Sequence, residues 1–335
     1  MNRVNPFSGK NAMEEVPVKF DEGMLDVGDG HLVYWRAQGP RDAPALVVVH
    51  GGPGGAMNVK WAEVLEGRAW RVVFFDQRGC GKSKPFGRLE HNGIHALVGD
   101  MEKLRAALGI ERWAVFGGSW GTTLGLAYGV AHPERCTGFL LRGVFLARRE
   151  DIDWFLWDVR RVFPEAHRAF LDAIEDACGQ RPANAQEILT LTEAPLARFD
   201  EAGARLARAW TLYETTLSVV NKPAVEPADE DKRPSAEANA AAVSMALLER
   251  HYMAHELPPA PLLPLVARIA HLPCRIVHGR FDMVCPADQA VALAAHWPGA
   301  EVAVVSGAGH WTFEPGNLAA LRAGAQALAD AIGGV

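Results

Sequence analysis

The chain has 335 residues, 49% of them hydrophobic, with 34 basic and 40 acidic side chains and a formal net charge of -6. That is enough for a sizeable core in two units or in one large α/β domain. The charge lacks the basic footprint of a nucleic-acid binder, and no run reaches the roughly 20 apolar residues of a membrane span.

The chain opens on charged and polar residues with no leader-like apolar run, and its five cysteines are irregularly spaced without a Cys-x-x-Cys pair. They read as free thiols in a reducing compartment, so a cytoplasmic chain is expected. Cys80 and Cys285 fall beside the motifs described below and are candidates to line a site, not nucleophiles.

Two strands are predicted first, over Val18 to Val27 and His31 to Ala37, with Asp29-Gly30 as a hairpin turn between them. Short, unbroken apolar runs follow at Ala45 to His50, Arg71 to Asp76, Trp113 to Gly117 and Gly138 to Arg142, and later at Cys274 to His278 and Glu301 to Val305. Such runs fit parallel strands covered on both faces. Helical stretches separate them, over His95 to Leu108, Trp120 to His132, Pro286 to His296 and Asn317 to Ile332. The alternation predicts an α/β core with a mainly parallel sheet.

The rhythm breaks between Phe145 and Leu262. This segment reads as helices over Asp151 to Val162, His167 to Ala177, Asn184 to Leu191, Leu196 to Leu217 and Ala236 to His255, with Pro195 placed to open the fourth. Asn221 to Pro234, rich in proline and charge, reads as a surface loop. The expected division is a catalytic domain over 1–146 and 263–335, interrupted by an all-helical cap over 147–262.

Gly117-Gly118-Ser119-Trp120-Gly121 has the Gly-x-Ser-x-Gly pattern of a nucleophile elbow, and it stands between an apolar run and a helix. The serine needs small neighbours at a strained strand-to-helix turn, and the helix start offers the Trp120 N–H to an oxyanion. His50-Gly51-Gly52-Pro53-Gly54-Gly55 follows an early strand and can supply the second donor, assigned to Gly52. His50 is assigned a structural role. Gly79-Cys80-Gly81-Lys82-Ser83 lacks the glycine spacing of a phosphate loop, and Asp76 and Arg78 are expected to brace the surrounding loops.

Downstream, Asp282 and His310 each stand in a loop after a strand, in the order serine, acid, histidine. His310 would take the serine proton and Asp282 would fix its tautomer. Asp76 and Asp288 compete chemically for the acid role, but Asp76 precedes the serine and Asp288 falls in the next helix. His278 is expected to be buried at a strand end. Trp154 and Trp157 are candidate pocket residues, although an i,i+3 pair also suits helix packing.

These motifs together resemble the prolyl iminopeptidases, serine aminopeptidases of the α/β-hydrolase fold, from about Val16 to the C-terminus and more weakly in the insertion. The resemblance implies the triad Ser119, Asp282 and His310, and release of N-terminal proline through an acyl-enzyme. It also implies that cap glutamates read the free amino terminus. One falls in Trp210-Thr211-Leu212-Tyr213-Glu214, where the family has Trp in place of Tyr213, and the other in Leu248-Glu249-Arg250-His251-Tyr252. Arg142, Phe145 and Tyr213 are placed near the pocket on the same basis. Read alone, Glu214 and Glu249 are equally well solvent-facing helix residues. The implied partners are short peptides with a free N-terminal proline, with no cofactor, metal, nucleic acid or membrane. An esterase or amidase shares the triad, and a silent binding protein on this fold is the alternative from another class. An epoxide or haloalkane hydrolase needs aspartate in place of Ser119.

Overall fold

A computed structural model describes residues 20–67, 69–220 and 235–333. Val18 and Lys19 of the first expected strand, and the expected loop at 221–234, lie outside the described residues. The strands are β1 (Phe20–Gly28), β2 (His31–Gln38), β3 (Ala45–Val49), β4 (Arg71–Phe75), β5 (Trp113–Ser119), β6 (Cys136–Val144), β7 (Cys274–Gly279) and β8 (Ala300–Val305). They form one sheet in the order β1-β2-β4-β3-β5-β6-β7-β8. The β1–β2 and β2–β4 pairs are antiparallel and the rest are parallel.

The unbroken apolar runs are explained by burial on two faces. Val47, Val49, Val73, Phe75 and Val115 point into one core, whereas Leu46, Val48, Val72, Phe74 and Phe116 point into the other. Alternate residues of a strand face opposite sides, so both parities must be apolar when both sides are covered. β1 instead alternates between exposed and half-buried positions at the sheet edge. Its turn into β2 places Asp29 and Gly30 at positive φ, the backbone a tight hairpin requires. The expectation of a covered strand at β8 is corrected: it is the other edge strand, and Glu301, Val302 and Ala303 are exposed.

The helices of the sheet domain are α1 (Ile94–Ala107) and α2 (Trp120–Ala131), then α10 (Asp288–Ala295) and α11 (Pro315–Gly333). Between β6 and β7 come α3 (Arg149–Leu156), α4 (Pro164–Cys178), α5 (Ala185–Leu191), α6 (Glu193–Ala197), α7 (Glu201–Ser218), α8 (Ala236–His255) and α9 (Leu262–Leu265). Two expected helices are shorter than the apolar pattern suggested. The first ends at Leu156 and passes into a 3-10 turn over Asp158–Arg161. The fourth divides at Arg198 to Asp200: Phe199 takes positive φ, and the Asp200 carboxylate caps α7 by accepting the Gly203 N–H. Pro195 therefore sits inside the short α6 and does not open the long helix.

Candidate active site

Ser119 ends β5 and is followed directly by α2, so the strand-to-helix turn has no loop residues to relax it. The serine sits at φ 57°, ψ -129°, a backbone region costly for a side-chain-bearing residue. The flanking glycines are obligatory for a steric reason. A Cβ on Gly117 would stand 2.3 Å from the Gly121 carbonyl oxygen, and one on Gly121 would stand 2.1 Å from that of Val49.

The loop after β7 brings Asp282, and the loop after β8 brings His310, to the same end of the sheet. His310 Nδ1 donates to Asp282 Oδ2 at 2.7 Å, which leaves Nε2 as the acceptor for a serine proton. The other Asp282 oxygen accepts the N–H groups of Val284 and Cys285 at 3.1 and 2.8 Å. Burial pushes the Asp282 carboxyl up, but His310, His278 and the Cys285 N–H outweigh it and hold the group below its ordinary value. Burial lowers the His310 imidazole in spite of Asp282, so the ring is kept neutral and open to a proton. Ser119 and His310 line one cavity. No hydrogen bond joins them among the described residues, as is common before substrate compresses such a site. Asp288 is exposed at the start of α10, away from this acid position, and Asp76 binds the Met57 and Lys82 N–H groups.

The glycine-rich loop after β3 passes in front of the serine. Gly52 lines both cavities that open on Ser119 and adopts φ 111°. Trp120 is the first residue of α2, whose opening N–H groups have no partner within the helix. Gln77 ties these two candidate donors' supports together. Its amide donates to the His50 carbonyl at 2.8 Å, and its oxygen accepts the Trp120 indole N–H at 3.1 Å. His50 itself donates from Nδ1 to Gly51 O and accepts the Gln77 N–H at Nε2. Both nitrogens are occupied and burial lowers its affinity for a second proton, which leaves it a brace.

Glu214 on α7 and Glu249 on α8 converge on a narrow slot that also contains Ser119, Phe145, Phe155 and Cys285. Glu249 is buried and accepts the Trp210 indole N–H. Burial drives the Glu249 carboxyl well above its ordinary value, and the charge of Glu214 adds to this. Burial likewise pushes Glu214 up to about 7 against the pull of Arg142. Arg142 is buried on β6, donates to the His310 carbonyl and lies 5.7 Å over the Trp61 ring. Tyr213 is a correction. It lines neither cavity: its hydroxyl donates to the Phe155 carbonyl at 2.7 Å and its ring stacks on Phe170 at 4.7 Å. One helix residue from Glu214, it faces the cap core about 100° away. Trp154 and Trp157 also pack in the cap, Trp154 donating to Met283 O.

Three supporting roles escaped the sequence reading, although His278 is buried at its strand end as expected. Trp210 stands one turn before Glu214 on the same helix face, a spacing that was visible. His278 is buried, accepts the Val144 N–H at Nδ1 and therefore donates from Nε2 to Cys285 O at 2.7 Å. It fastens the end of β6 to the Asp282 loop. Glu314 accepts the Gly309 N–H at 2.6 Å with one oxygen and the Val220 N–H at 2.9 Å with the other. The Trp311 N–H also donates to Ser218 O at 2.9 Å. The histidine loop is thus strapped to the end of the helix that bears Glu214, a link no local motif encodes.

A strained serine before a helix, a histidine oriented by a buried carboxylate, and a glycine-rich loop across from them define a serine hydrolase of the α/β-hydrolase fold, and that fold family's profile matches residues 44–316. The sequence is 41% identical over 309 residues to the proline iminopeptidase of Xylella fastidiosa strain Temecula1, covering 90% of this chain and 94% of that one. It is 38% identical over 312 residues to the proline iminopeptidase of Arabidopsis thaliana, covering 90% and 78%. The chain belongs to the proline iminopeptidase family. Among solved structures, the proline iminopeptidase of Mycobacterium smegmatis superposes with a TM-score of 0.59 at 20% identity, over 94% of this chain and 99% of that one. At that identity the likeness speaks for the fold. Among the described residues, no helix is long and apolar enough to cross a membrane.

Proposed function

We propose that this protein is a serine aminopeptidase that releases proline from the free N-terminus of short peptides. The observation that carries the reading is the pair Glu214 and Glu249, two carboxylates in one slot with the nucleophile and, among the described residues, without a protein cation bonded to either. Holding them together is costly unless a cation arrives. A substrate ammonium supplies it, through charge-assisted hydrogen bonds. Phe145 and Phe155 offer apolar walls to a pyrrolidine ring. In the reaction, Ser119 Oγ attacks the proline carbonyl while His310 Nε2 takes its proton. The Trp120 and Gly52 N–H groups receive the oxyanion, and His310 returns the proton to the departing nitrogen. Water, deprotonated by His310, then adds to the acyl carbonyl, and collapse breaks the ester and restores the serine. The free thiols suit a reducing interior, and we place the enzyme in the cytoplasm.

The test compares turnover of proline β-naphthylamide, its N-acylated form, alanine β-naphthylamide and a p-nitrophenyl ester. The free proline substrate is expected to lead. Equal turnover of the blocked and free forms sinks the amine-site reading, and fast ester cleavage with no proline preference replaces it with an esterase.

A further inference from the structure

Two cavities meet at Ser119, and only the smaller one is occupied by the amine and ring of the first residue in the proposal above. The slot with Glu214 and Glu249 leaves about 10 Å³ free, whereas the second cavity leaves about 260 Å³ on the same measure. The larger one contains His310, together with Trp61, Met245, Trp311 and Phe313; it shares Glu214 with the slot, whereas Glu249 lines the slot alone. Chemistry assigns the two sides. The amine of the first residue must sit by the glutamates, so its carbonyl reaches Ser119 from the slot. The leaving nitrogen must sit by His310, which protonates it. The second residue of the peptide therefore lies in the larger cavity.

That cavity's wall is aromatic and partly uncovered. Trp311 is 44% exposed, and its ring meets Phe313 edge-on at 5.9 Å. An exposed indole beside a catalytic histidine is poorly explained by packing, because it contributes little burial where it stands. Its backbone is nonetheless held on both sides: its N–H donates to Ser218 O, and its carbonyl accepts the Asn317 side-chain amide at 2.9 Å. The ring is thus aimed by an anchored loop. Across the cavity Trp61 is buried and covered by the Arg142 guanidinium, which is already bonded to the His310 carbonyl.

Resting on the aminopeptidase reading, we infer that Trp311, Phe313 and Trp61 form a leaving-group subsite that selects peptides with an apolar or aromatic second residue. Such a side chain desolvates the exposed indole face and gains aromatic contact. A glycine leaves it wet, and an acidic side chain loses water beside the Glu214 carboxylate, with the cavity's Arg142 buried and bonded to the His310 carbonyl.

The experiment measures kcat/KM of the full chain on Pro-Phe-NH2, Pro-Leu-NH2, Pro-Gly-NH2 and Pro-Glu-NH2 by proline release. The phenylalanine and leucine amides are expected to exceed the glycine amide by roughly tenfold, with the glutamate amide no better than glycine. In Trp311→Ala the Phe/Gly ratio should fall toward one, and in Trp311→Phe most of it should return. Equal rates across the series, a preference for glutamate, or a Trp311→Ala variant that keeps the Phe/Gly ratio overturns the subsite. The first of these leaves the aminopeptidase intact. Failure to cleave any of the four overturns both readings.

Discussion

The sheet and the cap each contribute charged groups to one site, in opposite states of completion. On the sheet, Asp282 has three donors within hydrogen-bonding distance and is held ionised, and His310 is oriented by it. In the cap, Glu214 and Glu249 are pushed toward their protonated forms by burial, opposed by the charge of Arg142 at the first and by the Trp210 indole N–H at the second. The sheet half is finished before substrate arrives, as electrostatic preorganisation requires. In the proposed reaction, the cap half is finished by the substrate. A fold that keeps the cost of one buried and one half-buried carboxylate there keeps an affinity for a cation at that place.

The two halves should therefore fail differently. The largest effect belongs to Ser119→Ala, which should lower kcat by about 10,000-fold or more on a proline naphthylamide and on an ester alike. A residual ester rate near wild type would mean that another group is the nucleophile. Glu249→Gln comes next. It removes the carboxylate that an ammonium would meet but keeps an acceptor for the Trp210 indole. It should lower kcat/KM on free-amine substrates by roughly 30–100-fold, mainly through KM, and leave a small ester within about threefold. Equal losses on both substrates would erase the distinction between the halves.

The sheet half was legible in the sequence and the cap half was not, and the reason is local strain. Gly117 and Gly121 are required by contacts with the backbone a few ångströms away, so the elbow writes itself into five consecutive residues. The apolar runs of β3 to β7 are equally direct, since burial on two faces leaves few polar positions, such as Arg142 and His278 near the strand ends. Cap helices carry no such mark. Nothing near Glu214 or Glu249 distinguishes them from solvent-facing residues, and the family resemblance alone singled them out. The same weakness admitted Tyr213 to the pocket, because a helix turns about 100° per residue and the sequence does not say which face is inward. Edge status, as at β8, and the break at Phe199 depend on neighbours far along the chain.

Glu314 tests where the two halves join. Glutamine can keep one of its two acceptor roles but turns an N–H group toward the other donor, at Gly309 or Val220. A loss of about tenfold in kcat is expected for Glu314→Gln, on peptide and ester substrates alike, because His310 serves both. KM should move by less than about twofold. A rise in KM confined to free-amine substrates would instead assign the strap to the cap.

The smallest effects concern Glu214, and they separate the halves by pH. In the free enzyme its carboxyl titrates at about 7, whereas burial holds His310 below its ordinary 6.5. The acid limb of kcat/KM for a free-amine substrate should therefore fall near pH 7, and that for a neutral ester at the lower pH set by His310. Glu214→Gln should remove Glu214's part of the first limb and leave the part set by Glu249, which burial also holds well above its ordinary value. The same shift acts on stability with a definite sign. Unfolded, this carboxyl ionises near 4.5, but in the fold it holds its proton to about 7. The folded state therefore loses stability as pH rises between those values and carries the full cost above them. Glu214→Gln removes that cost, so its melting temperature should exceed wild type by about 2–5 °C at pH 8 and by almost nothing at pH 4. A variant no more stable at pH 8 would show that Glu214 is not held against its own ionisation, and the cap would lose its claim to be completed by an incoming ammonium.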